Sequence, residues 1–196
     1  AGPFANISIG QSSVVADLLG LKLSEYLVTE SGFGADIGYE KFWNLKCRMS
    51  GLTPNCAVIV ATVRALKMHG GGPTVVPGKP LDPVYIESHP ELVERGLPNL
   101  MAHIETVKKS LVRPVVCINH FHTDSDEEVA VIRHAVEAMG VPVAVSRHWA
   151  EGGEGARELA GAVVDACEKP AKFRLLYEED LAIKDKISRI ASEVYG

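Results

Sequence analysis

The sequence predicts an α/β fold, a mostly parallel sheet flanked by helices, and three observations carry that prediction. Apolar runs of strand length recur at residues 56–63, 114–119 and 141–145, the pattern of strands covered on both faces. Segments with helical spacing of apolar residues lie between them, as in βαβ units joined by right-handed crossovers. Each run ends in polar residues, with glycines following the first and third, and an open parallel sheet keeps its ligand crevice in the loops that follow its strands. At 196 residues and 46% hydrophobic content the chain can bury a substantial core. One compact unit is expected, with or without a secondary lobe.

In chain order, residues 11–23 carry Val14, Val15, Leu18, Leu19, Leu21 and Leu23 behind Gln11, Ser12 and Ser13, which offer a helix cap. Residues 26–29 are expected as a short strand, 31–38 as the loop behind it, and 39–46 as a polar segment, in the order strand, glycine loop, helix. Residues 56–63 read as a buried strand running into a loop that presents Arg64, Lys67 and His69. Residues 70–83, rich in Gly and Pro, are irregular. Residues 90–111 read as a helix that Pro98 ends or kinks. Residues 114–119 form the next strand and 120–124 a loop. Ser125-Asp126-Glu127-Glu128 is a capping box opening a helix to Met139, stopped by Gly140. A short strand at 141–145, a loop at 146–155, a helix at 158–166, an edge strand at 172–177 and a helix at 181–195 complete the chain.

A formal net charge of -5 and a pI near 5.8 leave no basic footprint for a nucleic acid partner. No apolar run approaches the roughly 18 residues of a membrane helix, and no signal peptide opens the chain, so no membrane partner is expected. Cys47, Cys56, Cys117 and Cys167 show no CxxC spacing and suit a reduced, cytoplasmic setting. The opening Ala1-Gly2-Pro3-Phe4 has no initiator Met and reads as part of a longer protein.

Three loops can carry chemistry. In the first, Gly32-x-Gly34-x-x-x-Gly38 misses the dinucleotide fingerprint by one residue, which disfavours an ordinary Rossmann domain. A plain turn is the simpler reading. The functional one has backbone N–H groups approaching an anion, with Glu30 and Asp36 orienting a metal or water. In the second, His120 and His122 flank Phe121 without a third metal ligand, so solvated histidines are favoured over a metal site. Phe121 is either a lid on the core or a stacking surface. In the third, Trp149 stands beside Gly152, Gly153 and Gly155, as a helix cap or as the second wall of a slot. Neighbouring parallel strands would bring Phe121 and Trp149 to one sheet edge, where two rings make a slot for a planar heterocycle.

These residues carry a resemblance to formate-tetrahydrofolate ligase, also called 10-formyltetrahydrofolate synthetase. It runs through Gly2-Pro3-Phe4-Ala5-Asn6-Ile7, residues 29–38, Glu40-Lys41-Phe42, Lys46-Cys47-Arg48, residues 60–71, Asn119, Phe121, Thr123-Asp124, residues 149–155, residues 184–187 and Tyr195-Gly196. The run Val60-Ala61-Thr62-Val63-Arg64-Ala65-Leu66-Lys67-Met68-His69-Gly70-Gly71 is close to a family signature.

The resemblance implies a P-loop-NTPase-like architecture without its P-loop segment. It also implies an ATP-dependent ligase of one-carbon metabolism in which formate becomes formyl phosphate and N10 of tetrahydrofolate attacks it. By the same resemblance Phe121 and Trp149, with Val145, hold the pterin, and Gly34, Ala35 and Asp36 lie at the formyl phosphate centre. Glu30, Gly32, Phe33, Gly153 and Gly155 serve nucleotide and phosphate binding. Implied small molecules are formate, tetrahydrofolate and ATP with Mg, with room for a monovalent cation. A homo-oligomer is implied for the full-length protein. Residues 1–72 would belong to the nucleotide and formyl phosphate core, and 73–196 to a folate-binding α/β lobe.

The family's P-loop Lys and formyl phosphate Arg lie upstream of the resembling segment, and no GxxxxGK[ST] occurs here. The isolated chain is therefore expected to lack turnover. A non-catalytic folate-binding or oligomerisation module is the alternative. His120 and His122 depart from the family pattern. Residues 72–85 are longer than in many bacterial relatives and resemble the version fused to other folate enzymes.

Overall fold

The computed structural model describes residues 11–196. The opening at Ala1 and the Gly2–Ile7 motif lie outside these described residues. Two compact units partition the chain. The first collects Ala1–Pro54, Thr106–Val112 and Lys172–Gly196, and the second Asn55–Glu105 and Arg113–Ala171.

The second unit contains the sheet, with β1 (Cys56–Ala61), β2 (Arg113–Asn119) and β3 (Val143–Ser146) parallel and in the order β1-β2-β3. Helices α3 (Val63–His69) and α4 (Pro90–Lys109) lie between β1 and β2 in sequence, and α5 (Asp126–Ala138) between β2 and β3. The predicted α/β class and its three strands are present. Val116 and Ile118 of β2 are fully buried and share one apolar cluster with Leu66, Val93, Leu97, Ile104, Ile132 and Val136. The capping box is formed: the Ser125 hydroxyl accepts from Glu128 N–H at 3.3 Å, and Glu128 Oε2 accepts from Ser125 N–H at 3.0 Å.

Several expectations give way to tertiary context. β1 stops at Ala61 because the Thr62 hydroxyl accepts from Ala65 N–H at 3.1 Å and starts α3, so Arg64, Lys67 and His69 stand on a helix. β1 is also a sheet edge, and Val58 and Val60 are 40% and 63% exposed; it is not covered on both faces. Helix α4 runs through Pro98. Leu92, Val93, Leu97, Leu100 and Ile104 bury its apolar stripe, while Pro98 and Glu94 are exposed, so water can serve the carbonyl that Pro98 leaves free. The segment at 146–155 is partly helical, as α6 (His148–Glu151) and a 3₁₀ turn at Glu154–Ala156, before α7 (Arg157–Cys167).

In the first unit, α1 (Val14–Leu23) is capped by Ser13, whose hydroxyl accepts from Ala16 N–H at 3.1 Å. Residues 26–29 form no strand. An isolated antiparallel bridge joins Gln11 to Ser31, and the Thr29 hydroxyl bonds to that of Ser12. The polar segment at 39–46 is helical, as the expected order of strand, glycine loop and helix has it. π-helical turns at Ala35–Tyr39 and Phe42–Lys46 lead into α2 (Cys47–Ser50), which ends at Gly51 with φ 71°. Trp43 and Asn44 are fully buried there, and Lys46 pairs with buried Asp17 at 2.5 Å.

Residues 172–177 are not a strand either, because other groups serve their backbone. Arg174 C=O accepts from Trp43 Nε1 at 2.6 Å, Arg174 N–H donates to Ser110 O at 3.0 Å, and Leu176 N–H donates to Asn44 Oδ1 at 3.0 Å. The final helix forms as expected, as α8 (Ile183–Ile190) with a π-helical turn at Ala191–Tyr195.

Candidate functional site

The glycine loop of the first unit folds tightly on itself. Gln11 Nε2 donates to Gly38 O at 2.9 Å and to Ser31 Oγ at 2.8 Å, drawing both ends of the loop together. A Cβ on Gly38 would stand 1.9 Å from Gly32 O, so the backbone crosses itself where only glycine fits. Phe33 takes φ 67° and is 62% exposed, and Gly34 immediately precedes the helical turn at Ala35–Tyr39. Ile37 and Gly38 N–H return to Gly34 O at 3.2 and 2.8 Å, leaving Ala35 and Asp36 in the opening turn. Asp36 C=O accepts from Tyr195 Oη at 3.2 Å, and Glu30 is exposed. Gly32, Phe33, Gly34, Ala35 and Asp36 thus occupy one loop, with Glu30 just before it.

The second locus lies at the carboxyl edge of the sheet. Ala61 pairs with Ile118 and Ile118 with Val145, so the segments after the three strands emerge side by side. His120 N–H donates to Ser146 O at 3.0 Å, tying the Phe121 loop to the end of β3. Asp124 fixes that loop by accepting from Phe121 N–H at 2.9 Å, while Asp124 N–H donates to Phe121 O at 2.9 Å. Burial pushes the Asp124 carboxyl above its ordinary value, against the lowering effects of the Phe121 N–H and His120. Phe121 is half-buried, whereas Trp149 on α6 is 79% exposed. A tryptophan so little covered is a large apolar surface held out to solvent.

Val145 is buried and packs in the core cluster beneath this edge. Gly155 closes the Trp149 segment: its C=O accepts from Arg147 N–H at 2.8 Å, and a Cβ there would fall 2.6 Å from the Arg147 carbonyl carbon. Gly153 precedes the 3₁₀ turn with open space beside it.

Sequence reasoning left Arg64, Lys67 and His69 without roles, and the structure separates them. Lys67 is buried against Glu128 at 2.5 Å and donates to Glu87 O at 2.7 Å, which makes it a structural cation. His69 is exposed at the end of α3. The Arg64 guanidinium lies over the Phe121 ring, 5.3 Å from its centre. His148 had no assigned place. Its Nδ1 shares a 2.8 Å hydrogen bond with buried Ser146 Oγ, a contact set by the turn after β3 and invisible in residue spacing. Among the described residues no three His, Cys, Asp or Glu side chains converge, so these residues alone do not build a cation cage.

A parallel sheet flanked by helices, with a ring-bearing loop and an exposed tryptophan after neighbouring strands, defines an α/β protein whose strand-end segments are the candidate site. The sequence comparisons narrow the class. The chain belongs to the formate-tetrahydrofolate ligase family, whose model matches residues 1–196. It is 64% identical over 196 residues to the formate-tetrahydrofolate ligase of Dehalococcoides mccartyi, a match covering all of this chain and 33% of that protein. The corresponding ligase of Lawsonia intracellularis is also 64% identical over 196 residues, with the same 100% and 33% coverage. That of Thermodesulfovibrio yellowstonii is 56% identical over 199 residues, covering 100% of this chain and 34% of the relative. The chain spans about a third of the length of these curated relatives.

Proposed function

We propose that this chain supplies the pterin slot of an ATP-dependent ligase that joins formate to tetrahydrofolate and yields 10-formyltetrahydrofolate through formyl phosphate. The observation that carries the reading is the pair Phe121 and Trp149, on the segments following neighbouring parallel strands, in a chain of this family. The two rings do not stack on each other among the described residues, which leaves each with a surface to offer. In this reading both contact the pterin, and buried Val145 supports the floor.

The same reading gives residues 1–72 to the nucleotide and formyl phosphate core and 73–196 to folate binding. Gly34, Ala35 and Asp36 face the formyl phosphate centre through backbone N–H groups. Glu30, Gly32, Phe33, Gly153 and Gly155 serve the nucleotide and its phosphates. Mg arrives with ATP on the phosphate oxygens, and a monovalent cation, a cytoplasmic setting and a homo-oligomeric full-length protein belong to the same proposal.

The alternative is a folate-binding or oligomerisation module without catalysis. The ligase reading and a folate-binding module both predict tetrahydrofolate binding and no ATP-dependent turnover by this chain alone, whereas an oligomerisation module predicts no such binding. Tetrahydrofolate should quench tryptophan emission, and Trp149→Ala should abolish the response while Trp43, buried in the first unit, continues to emit. An unchanged response in Trp149→Ala would remove the slot. Restoring the remaining two thirds of a relative's length separates the readings, since the ligase reading requires turnover to appear.

A further inference from the structure

Arg64 is a half-buried cation that forms no ion pair or hydrogen bond among the described residues. Its placement follows from the fold. Thr62 caps α3 at the end of β1, so Arg64 enters the first turn of that helix beside the segment that leaves β2 toward Phe121. The guanidinium covers one face of the Phe121 ring at 5.3 Å from the centre. A guanidinium over a ring spends its flat face on the π system and keeps its N–H edge, five donors in a planar fork, for carboxylate or phosphate oxygens. Lys67, three residues further on, has its charge consumed by Glu128. Asp124 spends an oxygen on Phe121 N–H.

We propose that Arg64 receives an anionic group, carboxylate or phosphate, of a ligand whose flat portion lies on the opposite face of Phe121. The inference rests on the pterin-slot reading and deepens it. The stacking ring and the charge anchor are one unit, with Arg64 recognising the acidic end of the ligand. A purely mechanical role would instead make Arg64 a brace for Phe121.

The test uses the 196-residue chain and its Arg64→Gln and Arg64→Lys variants, with folding checked by circular dichroism. Calorimetric titrations use tetrahydrofolate, a tetrahydropterin lacking the glutamate tail, and inorganic phosphate. If the anion is the carboxylate, Arg64→Gln weakens tetrahydrofolate tenfold or more and leaves the tetrahydropterin unchanged. If it is a phosphoryl group, Arg64→Gln loses phosphate binding. Arg64→Lys, which keeps the charge and loses the fork, should fall between the wild type and Arg64→Gln in either case. The proposal is overturned if Arg64→Gln binds phosphate like the wild type and loses equally for tetrahydrofolate and tetrahydropterin, a loss of zero included. A wild-type chain that binds no tetrahydrofolate counts against the slot, and the phosphate titration alone then decides Arg64.

Discussion

The Lys67 ammonium stands 2.5 Å from the Glu128 carboxylate, and both side chains are withdrawn from solvent. Burial pushes the Glu128 carboxyl up, but His89 N–H, Lys67 and the Ser125 N–H and hydroxyl together outweigh it and hold the group below its ordinary value of 4.5. Removing one partner leaves the other charge buried, a loss of about 3–5 kcal/mol. Lys67→Met and Glu128→Gln should each destabilise on that scale in urea melts, and the double variant should lose less than the sum of the two.

The same pair sets an acid limit. A carboxyl whose folded pKa is depressed contributes stability above its unfolded value, and that stability is lost as pH falls through the folded one. Wild-type stability should therefore drop as pH descends below about 4.5, and Glu128→Gln should flatten that limb. Melts recorded at successive acid pH values check it. An identical slope in the two proteins would show that the carboxylate contributes nothing there.

Gly38→Ala places a methyl group 1.9 Å from Gly32 O, a backbone atom that cannot rotate aside. The glycine loop must open, at a cost of about 1–3 kcal/mol. Thermal melts should record the loss, and amide shifts in NMR spectra should change across residues 31–38.

The outer edge of β3 is closed by side chains. Val145 N–H donates to Glu158 Oε2 at 3.2 Å and Arg133 Nη1 donates to Val143 O at 3.3 Å, while Arg133 and Glu158 pair at 3.1 Å. Glu158→Ala removes one backbone partner and loosens the other, for about 1 kcal/mol. It also exposes a strand edge, so light scattering should show more self-association than in the wild type.

Cys47 and Cys56 have their thiols pushed up to about 12, by burial above all. Little thiolate is then present near neutral pH, and alkylation by iodoacetamide at pH 8 should be slow in the native protein and fast after unfolding.

Local signals were the legible ones. The Ser125 capping box, the Ser13 cap, the three strands and the loop bearing Phe121 are written in adjacent residues and reappear in the fold, whereas the segment bearing Trp149 folds into α6. What sequence reading missed depends on distant partners. Residues 172–177 look like a strand until Trp43 and Asn44, about 130 positions away, serve their backbone. Pro98 breaks a helix in isolation, yet α4 is held by a stripe of side chains that Pro98 does not interrupt. The same limit applies at the candidate site. Arg64 was visible as a residue, but its place over Phe121 depends on a register between β1 and β2 that spacing does not encode.

One carboxylate also ties together chain segments far apart in sequence. Glu128 accepts from His89 N–H at 2.8 Å and from Ser125 N–H at 3.0 Å while neutralising Lys67 from α3. These two amides, 36 positions apart, donate to the two oxygens of one carboxylate and can be freed by the same opening event. Their hydrogen-exchange rates should rise and fall together with denaturant, so that both report one cooperative unit in which the entrance to α4 and the start of α5 unlock in step.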